Sequence, residues 1–226
     1  MLDQLQTEEQ SLAAALQVYD ETQRFLDAEH LEIQRAYVLL RAGDAQHRLG
    51  NLQAAIERYQ TALKLMRQVD DQEGAAQCLR RLATLHREMG NLQEALVATQ
   101  AAKEQYEALS SFYGLAAVEQ DRGYILSELG HPEKAIECFT ASLRLCRRLA
   151  NEEGVAENLR QIGTLLSSMG RLDIGIQVLQ EALKHYIHLN SPEQVEVQAQ
   201  IERLQNRRAR LARVLQRLRE NRQARV

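Results

Sequence analysis

Leu49–Leu63, LGNLQAAIERYQTAL, reads as the end of one helix, a tight turn at Gly50 and Asn51, and the opening turns of a second helix. Forty residues on it returns as MGNLQEALVATQAAK from Met89, then as LGHPEKAIECFTASL from Leu129 and MGRLDIGIQVLQEAL from Met169. Gly50, Gly90, Gly130 and Gly170 hold the 40-residue spacing without a slip. Asp71, Ser111, Asn151 and Ser191, all N-cap residue types, recur in the same register. Two sets of punctuation sharing one period define an array of helical pairs.

Working outward, the helix after the first turn places Leu52, Ala55, Ile56, Tyr59, Ala62, Leu63 and Met66 at steps of three and four, one apolar face. Residues 11–28 match this second half of the unit, with Leu12, Ala15, Leu16 and Tyr19 in register, so the array is read as a half repeat followed by units at about 31–70, 71–110, 111–150 and 151–190. Ala55, Ala95, Ala135 and Gly175 sit one turn into each second helix, and Gly43, Ala83, Gly123 and Gly163 two turns before the end of each first helix. Paired small residues let two helices of a hairpin approach closely. Pro132 falls at a first helical position, where its missing N–H costs nothing. From Ser191 a last helix begins, with Pro192 in its first turn and Gln194 placed for a capping box. No Gly or Pro interrupts it to Val226; its first part is expected to cap the array and the remainder, from about Gln205, to project or fray.

A small residue two turns before each turn, followed by G-x-x-x-x-A-[IL]-x-x-[YF]-x-x-A-L, resembles the tetratricopeptide repeat family over about residues 11–190. The 40-residue period is similar to the longer-helix variants of bacterial signalling regulators, kinesin light chains and cell-polarity adaptors. The resemblance implies an all-α, right-handed superhelical solenoid of antiparallel helix pairs, with residues 1–190 as the array and 191–226 as a C-terminal helix. It further implies a concave groove lined by the first helices, which holds a peptide or a partner helix, and no enzymatic activity.

Composition agrees with a soluble protein and narrows the chemistry. Hydrophobic residues make up 45% and charged residues 26%, and no apolar run reaches the length of a membrane span. The N-terminus is polar and acidic, unlike a signal peptide. Three cysteines, Cys78, Cys138 and Cys146, form no disulfide framework and read as buried thiols in a reducing cytoplasm. There is no phosphate-binding Gly-rich loop, no zinc-protease motif and no nucleophile elbow, and no cofactor is expected. His185 and His188 share a helix face, but no third ligand has matching spacing, so they read as surface histidines.

Carried onto this chain, the family's groove positions are Tyr37, Leu40, Asp44, His47 and Arg48 in the first unit and Gln77, Arg80, Thr84, Arg87 and Glu88 in the second. The third offers Gln120, Tyr124, Ser127 and Glu128, and the fourth Glu157, Arg160, Thr164 and Ser167. Arg80 has Thr84 one turn on where chaperone adaptors of the family use Asn, which argues against a carboxylate clamp. A groove that reads an acidic or extended peptide through Arg80, Arg87 and Arg160 fits these residues.

Two departures from the pattern stand out. Thr99, Lys103, Glu119 and Arg122 occupy columns that are apolar in the other units, on two successive helices. They read either as an ion pair, Lys103 with Glu119, that fixes registry, or as a polar pocket or softened joint used by a partner. The second departure is charge: residues 206–226 hold eight Arg and one Glu, while the whole chain is at −3. Along the last helix Ile201, Leu204, Leu211, Leu215 and Leu218 keep a three-four spacing, with Arg208 intruding once on that seam, among Arg207, Arg210, Arg213, Arg217, Arg219 and Arg222. Four readings stay open: a self-association seam, a basic helix on an acidic membrane, an arm for nucleic acid or an acidic protein, and a terminal helix folded back on the acidic repeats. The tail lacks aromatic residues, which weakens base stacking and interfacial anchoring. The function expected is a non-enzymatic scaffold or adaptor binding a protein in its groove; the alternative is a regulatory module whose Arg-rich helix binds nucleic acid or membrane.

Overall fold

In the computed structural model, residues 2–28 and 31–223 are described, with side chains over 9–26, 31–215 and at 217. Ten helices occupy these residues, without strands. They fall into two compact units, Met1–Leu129 and Gly130–Val226. The first holds α1 (Leu2–Ala28), α2 (Glu32–Arg48), α3 (Leu52–Gln68), α4 (Gln72–Glu88), α5 (Leu92–Ala108) and α6 (Phe112–Glu128). The second holds α7 (Pro132–Arg148), α8 (Glu152–Ser168), α9 (Leu172–His188) and α10 (Glu193–Gln223). Every helix from α2 to α9 has 17 residues. α1 starts at Leu2, well before the repeat match at Ser11.

The turns explain this regularity. After α2, Gly50 takes φ 77° and Asn51 N–H reaches back to the Gln46 carbonyl at 2.9 Å, a Schellman-type ending. Gly90, Gly130 and Gly170 share the conformation. A second left-handed series, hidden from the glycine count, ends the other helices: Asp70, Ser110, Ala150 and Asn190 have φ of 58°, 53°, 52° and 50°. Asp71, Ser111 and Asn151 then cap the next helix by accepting the N–H of Gly74, Gly114 and Gly154 at 2.9, 3.3 and 3.0 Å. Ser191 departs from the expectation. Its hydroxyl donates to the Glu193 carboxylate, and Gln194 closes no capping box, because Pro192 delays α10 until Glu193.

In the first unit the core runs between successive helices. Tyr59 is fully buried, and a Cβ on Gly43 would lie 2.5 Å from its ring, which is why that column is small. Burying such a side chain stabilises by roughly 2 kcal/mol. In the second unit Gly163 and Gly175 meet backbone to backbone; a Cβ on Gly175 would come within 2.8 Å of the Gly163 carbonyl. A third small column, Gly74, Gly114 and Gly154, lies under the last turn of the preceding helix, where added Cβ atoms would meet Met66 Sδ at 2.6 Å, Tyr106 Cδ1 at 2.2 Å and Cys146 Sγ at 2.6 Å. All three cysteines are free and buried, and burial pushes the Cys78 thiol up to about 12.

Asn158 and Ser142 form a buried polar contact in the second unit, where the matching columns are Val38, Cys78, Val118 and Ala62, Ala102, Ala182. Asn158 Nδ2 donates to Ser142 Oγ at 3.0 Å and to the Gly154 carbonyl at 2.7 Å. This pins α7 against α8 at a place where the other units use apolar packing. Both substitutions are visible in the columns of the repeat.

Candidate partner-binding face

In the first unit α2, α4 and α6 lie side by side, and their facing side chains are cross-linked by polar and charged contacts one period plus one residue apart. His47 Nε2 lies 2.7 Å from Glu88, Arg87 lies 2.6 Å from Glu128, and Arg80 Nε lies 3.2 Å from Asp121. The Arg87 guanidinium also stands 5.6 Å from the centre of the Tyr124 ring. Asp44 collects the Tyr59 hydroxyl at 2.8 Å and Arg81 at 3.0 Å. The arginines that the sequence offers for an acidic ligand are therefore already matched with carboxylates.

Beside Arg80 lies a recess of about 240 Å³ lined by Leu40, Asp44, Glu73, Gln77, Arg81, Tyr106 and Tyr113. Tyr113 is 70% exposed at its rim. Leu40 is 3% exposed and forms part of the recess wall. Tyr37 bonds to Asp71, and this contact, after burial, pushes its hydroxyl up to about 12. Thr84 donates to the Arg80 carbonyl at 3.2 Å, within its own helix. Gln120 and Tyr124 are half-buried on α6, and Arg48 closes the far end of α2.

Asp121 is the most perturbed acid of this face. Burial pushes its carboxyl up to about 6 although Arg80, Arg87 and Arg81 pull the other way. A folded pKa above the ordinary value means the native unit holds this proton more firmly than the unfolded chain. Its contribution is full below about pH 4 and is lost as pH rises through about 6. Asp121→Asn should remove that slope: its stability relative to wild type should rise between pH 4 and 7.5 by up to about 3 kcal/mol. Denaturant titrations of both proteins at the two pH values measure it, and a constant difference refutes it.

In the second unit the matching residues bond to one another beside a recess lined by Glu153, Glu157, Tyr186 and Glu193. Arg160 grips Glu157 with two bonds of 2.8 Å, and Tyr186 and Gln161 each donate to the same carboxylate at 2.8 Å. Thr164 accepts from Gln200 of α10 at 2.9 Å. Ser167, a groove expectation, is 3% exposed and donates to the Gly163 carbonyl. His185 pairs with Glu152 at 2.6 Å.

At the pattern break, Lys103 Nζ lies 2.6 Å from Glu119 Oε1, with Arg122 3.6 Å from the same oxygen. Glu119 is buried. Thr99 stands apart from this group: it is fully buried and its hydroxyl turns to the Leu96 carbonyl at 2.9 Å. Of the four polar exceptions, three form one cluster. The basic tail runs as one helix: Arg207, Arg208, Arg210, Arg213 and Arg217 are exposed on α10, while the side chains of Leu218, Arg219 and Arg222 lie outside the described residues. Among the described residues no helix is long and apolar enough to cross a membrane.

The tetratricopeptide repeat profile matches residues 32–108 and 112–188. The chain belongs to the tetratricopeptide repeat family. No curated protein matches the sequence. Among solved structures this repeat protein is similar to BtubC (BKLC) from P. vanneervenii, at 17% identity and a TM-score of 0.68 over 91% of this chain and 92% of that one. MamA aligns at 21% identity and a TM-score of 0.60 over 79% and 91% of the two chains. A Rap protein complexed with competence and sporulation factor aligns at 15% identity and a TM-score of 0.72, over 85% of this chain but only 54% of the Rap chain. At these identities the likeness is one of fold.

Proposed function

We propose that this tetratricopeptide repeat protein is a non-enzymatic scaffold that binds an extended segment of a partner protein on the α2–α4–α6 face of its first unit. The observation that carries this reading is the open recess beside Tyr113, where Glu73 and Gln77 line a wall whose arginines are already neutralised. The matching face of the second unit also holds a recess, lined by Glu153, Glu157, Tyr186 and Glu193, but it presents three carboxylates, one of them already bound by Arg160 and Tyr186, and no exposed aromatic ring. A charge-balanced wall with an exposed aromatic ring favours a peptide of mixed polarity over a strongly acidic one, since a new anion would have to break the Arg80–Asp121 and Arg87–Glu128 pairs. The Rap structure with competence and sporulation factor adds a precedent in the same fold. A cytoplasmic setting fits the three buried free thiols.

Peptides selected from a random displayed library on the full chain test the proposal. Tyr113→Ala combined with Gln77→Ala should weaken them at least tenfold in a fluorescence-anisotropy titration, as expected for an aromatic anchor at a recess. Gln60→Ala with Lys64→Ala, on α3, should leave them unchanged. Unaltered affinity in the first pair sinks the reading.

A further inference from the structure

The turn column breaks at the end of the array. The position 40 residues after Gly170 is Arg210, and there the helix does not stop but runs on to Gln223. α10 packs antiparallel on α9, with Val197 and Ile201 buried and Arg208 bonded to Asp173 at 2.7 Å. Asp173 is the second residue of α9, so beyond Arg208 that neighbour has ended. The stripe continues regardless: Leu211, Val214 and Leu215 are 46%, 51% and 55% exposed. The helix runs on beyond α9 to Gln223, and over residues 209–215 it carries an uncovered apolar edge of about 10 Å, flanked by Arg208, Arg210 and Arg213.

A surface of opposite character lies on α1. This helix packs on α2 and turns Ala14, Val18, Glu21 and Phe25 outward at the same three-four spacing, with Val18 58% and Phe25 62% exposed. Leu65, the counterpart of Phe25 one period later, is 6% exposed. By sequence, residues 2–28 carry six carboxylates against one arginine, and residues 206–226 eight arginines against one glutamate. Two tails, or two α1 faces, set against each other would bring like charges together. One tail against one α1 brings an apolar stripe to an apolar stripe and cations to anions.

We propose that the occupant of the projecting α10 edge is the α1 face of a second copy of this chain, in a heterologous, head-to-tail contact. Two short helix faces give an interface at the small end of specific contacts, so association is concentration-dependent and weakened by salt.

Sedimentation of the full chain from about 1 to 200 μM tests it. Mass should rise with concentration at 50 mM NaCl, and the apparent Kd should weaken at least tenfold at 500 mM NaCl. Two full-length variants separate the surfaces: Leu211→Glu with Leu215→Glu blocks the tail, and Val18→Lys with Phe25→Lys blocks α1. All four sites are exposed, so helical content should be unchanged by circular dichroism. Each variant alone should stay monomeric, and their mixture should give a 1:1 dimer that grows no further, because one intact tail meets one intact α1. Self-association of the α1-blocked variant would mean a tail-to-tail seam and overturn the proposal. So would a monomeric wild type at every concentration, including one whose tail binds phosphatidylserine vesicles or a 20-base-pair duplex instead.

Discussion

Gly114→Ala is expected to destabilise the first unit by about 2–3 kcal/mol, far more than one methyl group suggests. The new Cβ would lie 2.2 Å from Tyr106 Cδ1 and 2.5 Å from Cγ. Tyr106 is 2% exposed, so its ring can yield only toward the small recess that it lines. The strain must pass to the α5–α6 turn, whose left-handed Ser110 and capping Ser111 hold the backbone in place. Gly90→Ala is the control: nothing lies within 4 Å of its Cβ, and its φ of 79° alone should cost roughly 1 kcal/mol. Adding Tyr106→Leu should recover part of the Gly114→Ala loss and none of the Gly90→Ala loss. Equal midpoints for the two glycine variants in urea would remove the close-packing account.

Lys103→Leu should cost about 3 kcal/mol, because it leaves the buried Glu119 carboxylate without its 2.6 Å partner. Arg122, at 3.6 Å, softens that loss without replacing it. Lys103→Leu with Glu119→Leu restores the apolar columns and should regain most of the stability or exceed wild type. A double-mutant cycle read by denaturation gives the coupling. The same cycle read with groove-selected peptides distinguishes the two roles of the cluster. Unchanged affinity in the double variant assigns Lys103 and Glu119 to registry; lost affinity in a stable double variant makes them part of a binding surface.

The pattern breaks were legible because a repeat supplies its own control. Glu119 and Lys103 stand out against Leu79 and Leu63, and Arg210 against four glycines, with no other sequence needed. The groove was legible as a list of positions but not as chemistry. Arg80 and Arg87 read as free cations along the chain, yet each finds a carboxylate 41 residues later. Such pairing depends on the small offset between neighbouring helices, which no periodicity within one helix reveals. Ser167 was misplaced for a related reason: the face of a helix is known from its stripe only to within about one residue.

Local chemistry thus determined the helices and their ends. Spacing at three and four, glycines that can take positive φ, and Asp, Ser or Asn caps act within a few residues and leave their mark in one stretch of chain. The left-handed Ala150 escaped, because alanine is not a residue type that announces positive φ. What only the tertiary structure decided is which charges cancel, which recess stays open and where α10 outruns α9. Those depend on distances between residues far apart in sequence, where a shift of an ångström makes or breaks an ion pair.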